Sequence, residues 1–276
     1  MKLKGKMALV TGSSSGIGKG IALRLAEEGA DIIVHYHSRK QEAIQVVKNI
    51  RKLGRRTIAF QADLAEVAQI HKLVDQAWNT FGHIDILVNN AGILLSSGFS
   101  EVTEKDWDKV LDVNLKGVFF CAQAVAKKMI ESKIQGKIIN VSSNSGTLGE
   151  PYLAAYCASK GGVNMLTRSL AIELGPYNIN INGISPGFIE DTNINFAEAA
   201  RNPIYMKHCL LITPCKRFGK VEDLLGVVVL LASDESNYIQ GETIVIDGGM
   251  MIQMEDDLGP SGGDTSYRLE KHETKE

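Results

Sequence analysis

Met7-Ala8-Leu9-Val10-Thr11-Gly12-Ser13-Ser14-Ser15-Gly16-Ile17-Gly18 is the stretch on which the reading of this chain turns. Four apolar residues run directly into a Ser/Gly turn, and the turn opens an amphipathic segment of helical period. Glycine there lets backbone N–H groups approach a pyrophosphate and point at it from a helix N-terminus, where the partial positive charge favours anions. The spacing G-x-x-x-G-x-G differs from the common G-x-G-x-x-G fingerprint. It is not a P-loop either: one ending on Gly18-Lys19 needs Gly at 13 and Ser or Thr at 20, where Ser13 and Gly20 stand. As a bare string it also reads as a plain tight turn. Its position between strand and helix makes it a nucleotide-binding turn, with Gly12, Ser14, Ser15, Gly16, Ile17 and Gly18 as the expected contacts.

Outward from this turn, short β-branched runs alternate with longer amphipathic stretches. The runs are Met7–Val10, Asp31–Tyr36, Thr57–Gln61, Ile84–Val88, Lys137–Val141, Ile179–Ile184 and Thr243–Ile246. Helices are expected between them at about 17–28, 40–53, 66–81, 103–131, 154–175 and 221–231. Continuously apolar strands such as Ile86-Leu87-Val88 require burial on both faces, as in a parallel sheet covered by helices. The expected fold is therefore α/β: a doubly wound, Rossmann-type parallel sheet of about seven strands. Residues 1–250 are read as one domain, with 188–217 a long connection covering the substrate and 251–276 a C-terminal extension. The connection holds a short helical patch near Phe196–His208, and the extension carries a Gly/Pro/Asp-rich run, 256–264, read as loop or disordered.

Composition narrows the function classes. With 276 residues, 44% hydrophobic, 22% charged and a net charge of -2, the chain supports one sizeable core and is not built to grip nucleic acid or anionic lipid. Cys121, Cys157, Cys209 and Cys215 are too few for a disulfide scaffold and lack C-x-x-C spacing. The six histidines form no H-E-x-x-H or facing pair, so no metal is expected. The N-terminal apolar run is too short for a signal peptide and no segment is long enough to span a membrane, so the expected location is the cytoplasm.

The second strand ends at His35-Tyr36, followed by His37-Ser38-Arg39. An NAD-preferring site usually has Asp or Glu there to hold the adenosine ribose diol. Tyr36 takes that place, while Ser38 and Arg39 suit a 2′-phosphate, so NADP is favoured over NAD; the alternative is that Arg39 and Lys40 form a solvated helix start.

Tyr156 and Lys160 lie four apart on an expected helix and share a face. A phenol needs help to act as a base near neutral pH, and a nearby ammonium stabilises phenolate. Yet Tyr36/Lys40 and Tyr267/Lys271 have the same spacing, which therefore cannot choose. Context does: the first straddles a strand end, the second lies in a charged tail, and Tyr156 follows a strand ending in Ser142-Ser143 at the carboxyl, ligand-binding edge.

The sequence resembles the short-chain dehydrogenase/reductase family, of its shorter classical type, with echoes of glucose dehydrogenases and 3-oxoacyl reductases. The resemblance rests on Thr11-Gly12-x-x-x-Gly16-Ile17-Gly18, Asp63-Leu64, Asn89-Asn90-Ala91-Gly92, Asn114 in Asp112-Val113-Asn114-Leu115, Ser143, Tyr156-Cys157-Ala158-Ser159-Lys160 and Pro186-Gly187, all in order. It implies a tetrad in which Tyr156 exchanges the substrate proton and Ser143 orients the reacting oxygen. Lys160 binds the nicotinamide ribose and lowers the Tyr156 pKa, and Asn114 holds a water linking Lys160 to solvent. It also implies cofactor contacts from Asp63, Leu64, Asn90, Ala91, Gly92, Pro186, Gly187 and Ile189. Ser143 is preferred to Ser142 because the family serine stands thirteen residues before the tyrosine.

Three departures bear on specificity. The threonine many members carry five residues after the proline is Asp191 here, with Thr192 next. Ile93-Leu94-Leu95-Ser96-Ser97 lacks the Ile-Thr-Arg-Asp start associated with fatty-acid 3-oxoacyl reductases. His35-Tyr36-His37-Ser38 echoes a glucose-dehydrogenase run, and Ser96, Ser97, Asn144, Ser145, Glu150 and His208 suit a sugar or polyol, or are solvated loop residues.

The expectation is an NAD(P)-dependent alcohol/carbonyl oxidoreductase acting on a sugar, polyol or small ketone, alternatively on a 3-oxoacyl thioester. More distant rivals are a non-catalytic cofactor-binding regulator, which the intact tetrad disfavours, and a serine hydrolase, for which Ser143 lacks the G-x-S-x-G elbow. The resemblance further implies a homotetramer pairing the helices near 103–131 and 154–175, with small faces at Gln123-Ala124-Val125-Ala126 and Gly161-Gly162-Val163.

Overall fold

The computed structural model describes residues 1–190, 192 and 203–252. Within them, β1 (Met7–Val10), β2 (Asp31–Tyr36), β3 (Thr57–Gln61), β4 (Ile86–Asn89), β5 (Lys137–Val141), β6 (Asn180–Pro186) and β7 (Thr243–Ile246) form one sheet. Its order is β3-β2-β1-β4-β5-β6-β7, and every pairing is parallel. The order reverses between β1 and β4, the point at which a doubly wound sheet opens a crevice at the carboxyl ends of its strands.

Alternation along the strands explains the two layers. Ala8 and Val10 of β1 face one way with Ile32, Val34 and Val88; α1 (Gly16–Glu27), α2 (Lys40–Lys52) and α8 (Val221–Ala232) cover that side through Ile21, Leu25, Val46, Ile50, Leu224 and Val228. Met7 and Leu9 face the other way with Ile33, Leu87 and Ile138, beneath α3 (Val67–Phe81), α5 (Gly117–Glu131) and α6 (Ala154–Leu174). Burial on both faces is why the strands read as unbroken apolar runs.

The long helix expected over about 103–131 is interrupted. The structure has α4 (Glu104–Leu111), a π turn over Asp112–Lys116, and then α5. Gly117 donates its N–H back to the Asp112 carbonyl across the wider turn, and a side chain at 117 would lie 2.7 Å from the Leu64 carbonyl. The bulge brings Asn114, fully buried, to the sheet's carboxyl edge; such insertions gather at functional sites. Strand bounds differ from expectation by up to two residues, β4 starting at Ile86 and β6 running on to Pro186. Part of the helical patch expected near 196–208 is present as α7 (Pro203–Leu211); residues 196–202 and the run 256–264 lie outside the described residues.

Candidate active site

The carboxyl edge of the sheet opens into a cleft of about 660 Å³, extending from the glycine turn to the loops after β5 and β6. At one end, Gly12 has φ +63°, a conformation that favours glycine, and a Cβ at Gly18 would lie 2.4 Å from Asn90 Nδ2 and 2.5 Å from the Gly12 carbonyl. Only glycine permits that approach. The turn is stitched to the end of β4: Thr11 Oγ1 accepts the N–H groups of Asn90 (2.9 Å) and Ala91 (3.0 Å), and Asn90 Nδ2 donates to the Thr11 carbonyl at 2.9 Å. Ser15 caps α1 in extended conformation, and the first turn of α1 holds no acidic side chain to compete with an anion.

His35 holds the same turn from the β2 side, a role the sequence reading did not give it. Its Nδ1 accepts the Gly12 N–H at 3.0 Å and its Nε2 lies 3.1 Å from the Ala62 carbonyl, so the ring is neutral with its proton on Nε2. Burial is the main reason its pKa falls to about 4. The available signal was an odd one: a polar residue inside an otherwise apolar strand.

Tyr36 is not where the sequence placed it. It is 8% exposed, packs in the core under α1 and α2, and does not line the cleft. Alternation along β2 turns Tyr36 away while His35 and His37 reach the cleft. The cleft is instead lined there by His37, Ser38 and Arg39, with the Arg39 guanidinium donating to Ser15 Oγ at 3.4 Å. Beside them Asp63, Leu64 and Ala65 line the same end, Asp63 Oδ2 lying 3.7 Å from His37 Nε2; Asp63 Oδ1 accepts the Ala65 N–H at 2.9 Å, so this carboxylate also ties its own turn.

At the other end, α6 and the end of β5 assemble the chemistry-bearing groups. Tyr156 and Lys160, one turn apart on α6, are 7% and 4% exposed. Lys160 Nζ lies 5.7 Å from the Tyr156 ring centre and donates to the Val141 carbonyl at 2.8 Å. Ser143 Oγ donates toward Asn144 Oδ1 or Ser145 Oγ, each 3.2 Å away, while Ser142 Oγ turns to the Lys160 carbonyl at 3.2 Å; the two adjacent serines are thus separated by geometry. Of the other Tyr/Lys pairs, Tyr36 is in the core and Tyr267/Lys271 lie outside the described residues.

The expected lowering of the Tyr156 pKa by Lys160 is not present among the chain's own groups. Burial pushes the Tyr156 phenol up to about 12, the Ser143 hydrogen bond opposes this, and the Glu150 and Cys157 charges add to it. Burial likewise draws Lys160 down to about 8. Both shifts have one cause: a low-dielectric site penalises the charged form of each partner.

Asn114 does not line the cleft but lies directly behind it. Its Nδ2 donates to the Ile93 carbonyl at 2.8 Å and to Ser159 Oγ at 3.2 Å, and its Oδ1 accepts the Ile93 N–H at 2.8 Å. Every other expected contact (Gly12, Ser14, Ser15, Gly16, Ile17, Gly18, Ser38, Arg39, Asp63, Leu64, Asn90, Ala91, Gly92, Ser143, Tyr156, Lys160, Pro186, Gly187 and Ile189) lines the one cleft. Of the polar residues considered for substrate, Ser145 and Glu150 line it and Ser96, Ser97, Asn144 and His208 do not. Thr192 lines it as well, its Oγ1 donating to the Ile189 carbonyl at 3.2 Å; Asp191 lies outside the described residues. Among the described residues no cluster of three or more metal-ligating groups occurs, and no helix is long and apolar enough to cross a membrane.

An elongated cleft with a Cβ-free phosphate turn at one end and a buried Tyr/Lys/Ser cluster at the other fits a nicotinamide dinucleotide. Gly92 marks where its reactive half would pass: a Cβ there would lie 3.3 Å from Asn114 Oδ1 and 3.6 Å from Lys160 Nζ.

Comparison with known proteins agrees. Residues 6–202 match the family model described as short chain dehydrogenase. The chain is 42% identical over 247 residues to the 3-oxoacyl-(acyl-carrier-protein) reductase FabG of Staphylococcus epidermidis, covering 90% of this chain and 99% of that protein. It is 41% identical over 251 residues to the 2-dehydro-3-deoxy-D-gluconate 5-dehydrogenase of Escherichia coli K12, covering 91% and 97%. A crystal structure of a gluconate 5-dehydrogenase from Burkholderia cenocepacia in complex with NADP and tartrate superposes with a TM-score of 0.87 at 38% identity, covering 92% of this chain and 98% of that one.

Proposed function

This chain belongs to the short chain dehydrogenase family and is an NAD(P)-dependent oxidoreductase; on that premise we propose that it moves hydride between nicotinamide and a sugar, polyol or small ketone, with NADP preferred. The observation that carries the substrate class is Glu150 with Ser145 and Ser143: a carboxylate and two hydroxyls line the cleft beside Tyr156, a lining suited to hydrogen-bonding a hydroxylated substrate. The name of the B. cenocepacia neighbour, bound to NADP, supports the same reading. A 3-oxoacyl thioester is the second reading, supported by the name of the S. epidermidis relative and by Leu94, Leu95, Leu153 and Phe188, which give the cleft an apolar wall.

The residues divide the work. Gly12, the first turn of α1 and Asn90 to Gly92 hold the dinucleotide backbone, Ser38 and Arg39 hold the adenosine 2′-phosphate, and Lys160 holds the nicotinamide ribose. The bound cofactor supplies or accepts the hydride. Ser143 donates to the reacting oxygen, where negative charge develops in the transition state. Tyr156, a phenol at neutral pH, gives that oxygen its proton on reduction and takes it back on oxidation. Asn114 holds the loop after β4 against α6, so that Lys160 keeps its place.

Beyond the site, we read residues 1–250 as the dehydrogenase domain and 251–276 as an extension that packs on a neighbouring subunit of a homotetramer or borders its active site. Ala158, Met165 and Ile172 form an exposed apolar stripe on α6, which supports pairing through that helix. The free thiols Cys121, Cys157, Cys209 and Cys215 support a reducing, cytoplasmic location.

The deciding experiment is a panel of glucose, sorbitol, gluconate, cyclohexanone and acetoacetyl thioester, read by NAD(P)H absorbance with wild type and Tyr156→Phe. Turnover of the hydroxylated probes, and its loss by ~100-fold or more in the variant with cofactor affinity kept within a few-fold, supports the reading. Turnover of the thioester alone selects the second reading, and full activity in Tyr156→Phe rejects the role of Tyr156.

A further inference from the structure

Two histidines line the glycine-turn end of the cleft, and they differ in what water can do to them. His35, within β2, is buried and accepts the Gly12 N–H on Nδ1, and burial holds its pKa down to about 4, so it stays neutral near pH 7. His37, just past the end of β2, has a side chain 67% exposed, with Nε2 3.7 Å from Asp63 Oδ2. Histidine is the side chain whose charge changes between about pH 5 and 8. With His35 shielded, His37 is the group through which pH reaches this end of the cleft.

The surrounding charges give that change a consequence. Arg39, just before α2, and Asp63, after β3, line the same end, and Lys109 of α4 lines the cleft as well. Guanidinium and carboxylate hold opposite charges across the neutral range, so Asp63 offsets Arg39. A phosphate monoester brings about two negative charges, and an uncompensated Asp63 repels it. A proton on His37 neutralises Asp63 and leaves Arg39 to act on the phosphate; Arg39 itself donates to the neutral Ser15 Oγ, so its charge stays available to a ligand. The geometry is fixed from both sides. Asp63 Oδ1 is taken by the Ala65 N–H at 2.9 Å, which leaves Oδ2 toward His37, and Gln61 Nε2 donates to the His37 carbonyl at 2.9 Å, which holds the backbone that carries the ring.

We propose that His37 is a specificity-determining residue for the cofactor: paired with Asp63, it makes the preference for NADP over NAD depend on pH, strong when the imidazole carries a proton and weak when it does not. The proposal rests on the reading of Ser38 and Arg39 as the 2′-phosphate contact, and adds to it the group that sets the charge there. By reciprocity, bound NADP favours the protonated imidazole, whereas NAD, which lacks the phosphate, does so far less. The phosphate's own titration has the opposite sign. With a second pKa of about 6, it loses charge toward acid pH and holds cations less well. A preference for NADPH that grows as pH falls therefore originates in the protein.

The test is fluorescence titration of the full-length protein with NADPH and with NADH at about pH 6.5, 7.5 and 8.5, giving the ratio of the two dissociation constants at each. In wild type the ratio favours NADPH more strongly at the acid end by about fivefold or more. In His37→Gln that rise is absent. His37→Arg, charged throughout, keeps at the alkaline end the ratio that wild type reaches at the acid end, to within about threefold. A wild-type ratio that follows pH in parallel with His37→Gln overturns the proposal, as does a His37→Arg ratio at the alkaline end no higher than that of His37→Gln. Should His37→Gln not fold, wild type against His37→Arg decides: a slope in the first and none in the second supports the proposal, and parallel profiles overturn it. Failure of the underlying reading looks different: Arg39→Ala would then weaken NADPH and NADH equally at every pH.

Discussion

Asn114 and Ile93 share a closed pair of hydrogen bonds: the side-chain oxygen accepts the Ile93 N–H and the side-chain nitrogen donates to the Ile93 carbonyl, each at 2.8 Å. One amide thereby completes the backbone of the loop after β4, and its remaining N–H reaches Ser159 on α6. The π turn, the loop and the helix carrying Tyr156 and Lys160 are tied at a single buried point. Asn114→Ala leaves the Ile93 N–H and carbonyl without partners, at a cost of roughly 2–4 kcal/mol. A melting temperature lower by roughly 5 °C or more is expected, together with a drop in kcat. Calorimetry beside steady-state kinetics checks it; an unaltered melting temperature would show that water replaces the amide.

The pH dependence of Tyr156 has a definite sign. With its phenol pushed up to about 12, the tyrosine is protonated across the neutral range. Reduction, which needs the acid form, should be flat there, whereas alcohol oxidation, which needs the base form, should keep rising with pH. Initial rates in both directions across pH 6 to about 9.5 test this. An oxidation rate that plateaus near neutrality would mean that the bound cofactor lowers the phenol far more than burial raises it.

Lys160 trades stability for its position. Burial lowers its pKa from 10.5 to about 8, so between those values the unfolded chain binds a proton that the native chain does not. Stability therefore rises with pH through this window, and below about 8 the full burden, roughly 3 kcal/mol, is present. Relative to Lys160→Met, wild type should gain stability as pH rises from 8 to about 10. Urea midpoints of the two proteins at both ends of that range report it; a constant difference would refute the depressed pKa.

Arg39 folds over the glycine turn to Ser15 and lines the same end of the cleft as His37 and Ser38. Arg39→Ala should weaken NADPH by about tenfold or more while leaving NADH within about twofold, as expected for loss of a charge-assisted contact to a 2′-phosphate. Fluorescence titration of both nucleotides is sufficient. Equal losses would assign Arg39 to the turn rather than to the phosphate.

His35 carries an acid-labile contribution. Its pKa is lowered from 6.5 to about 4, chiefly by burial, so between those values the unfolded chain takes up a proton and the native chain does not. The stability provided by the neutral ring is fully present above 6.5 and is lost progressively, by roughly 3 kcal/mol, as pH falls toward 4. His35→Leu should be less stable than wild type at pH 7, because the Gly12 N–H loses its acceptor, and the gap should narrow by pH 4.5. Parallel unfolding curves at the two pH values measure the narrowing.

Much of this protein is local in origin and therefore legible in its sequence. The strand–turn–helix at Met7 to Gly18, the alternation of apolar runs with amphipathic stretches and the context of Tyr156 and Lys160 rest on periodicity and on the conformational needs of glycine, both properties of neighbouring residues. What only the tertiary structure decided depends on groups far apart in the chain. Tyr36 packs in the core rather than lining the cleft because the face toward which each β2 residue points is fixed by the parallel sheet, and His35 gained a role because Gly12 and Ala62 arrive beside it from other elements. The helix break at Asn114 answers to Ile93 and Leu64, and the raised phenol of Tyr156 answers to the burial around it. Spacing along a chain sets which residues can meet locally; dielectric, facing and hydrogen-bond partners are settled only when distant segments close around them.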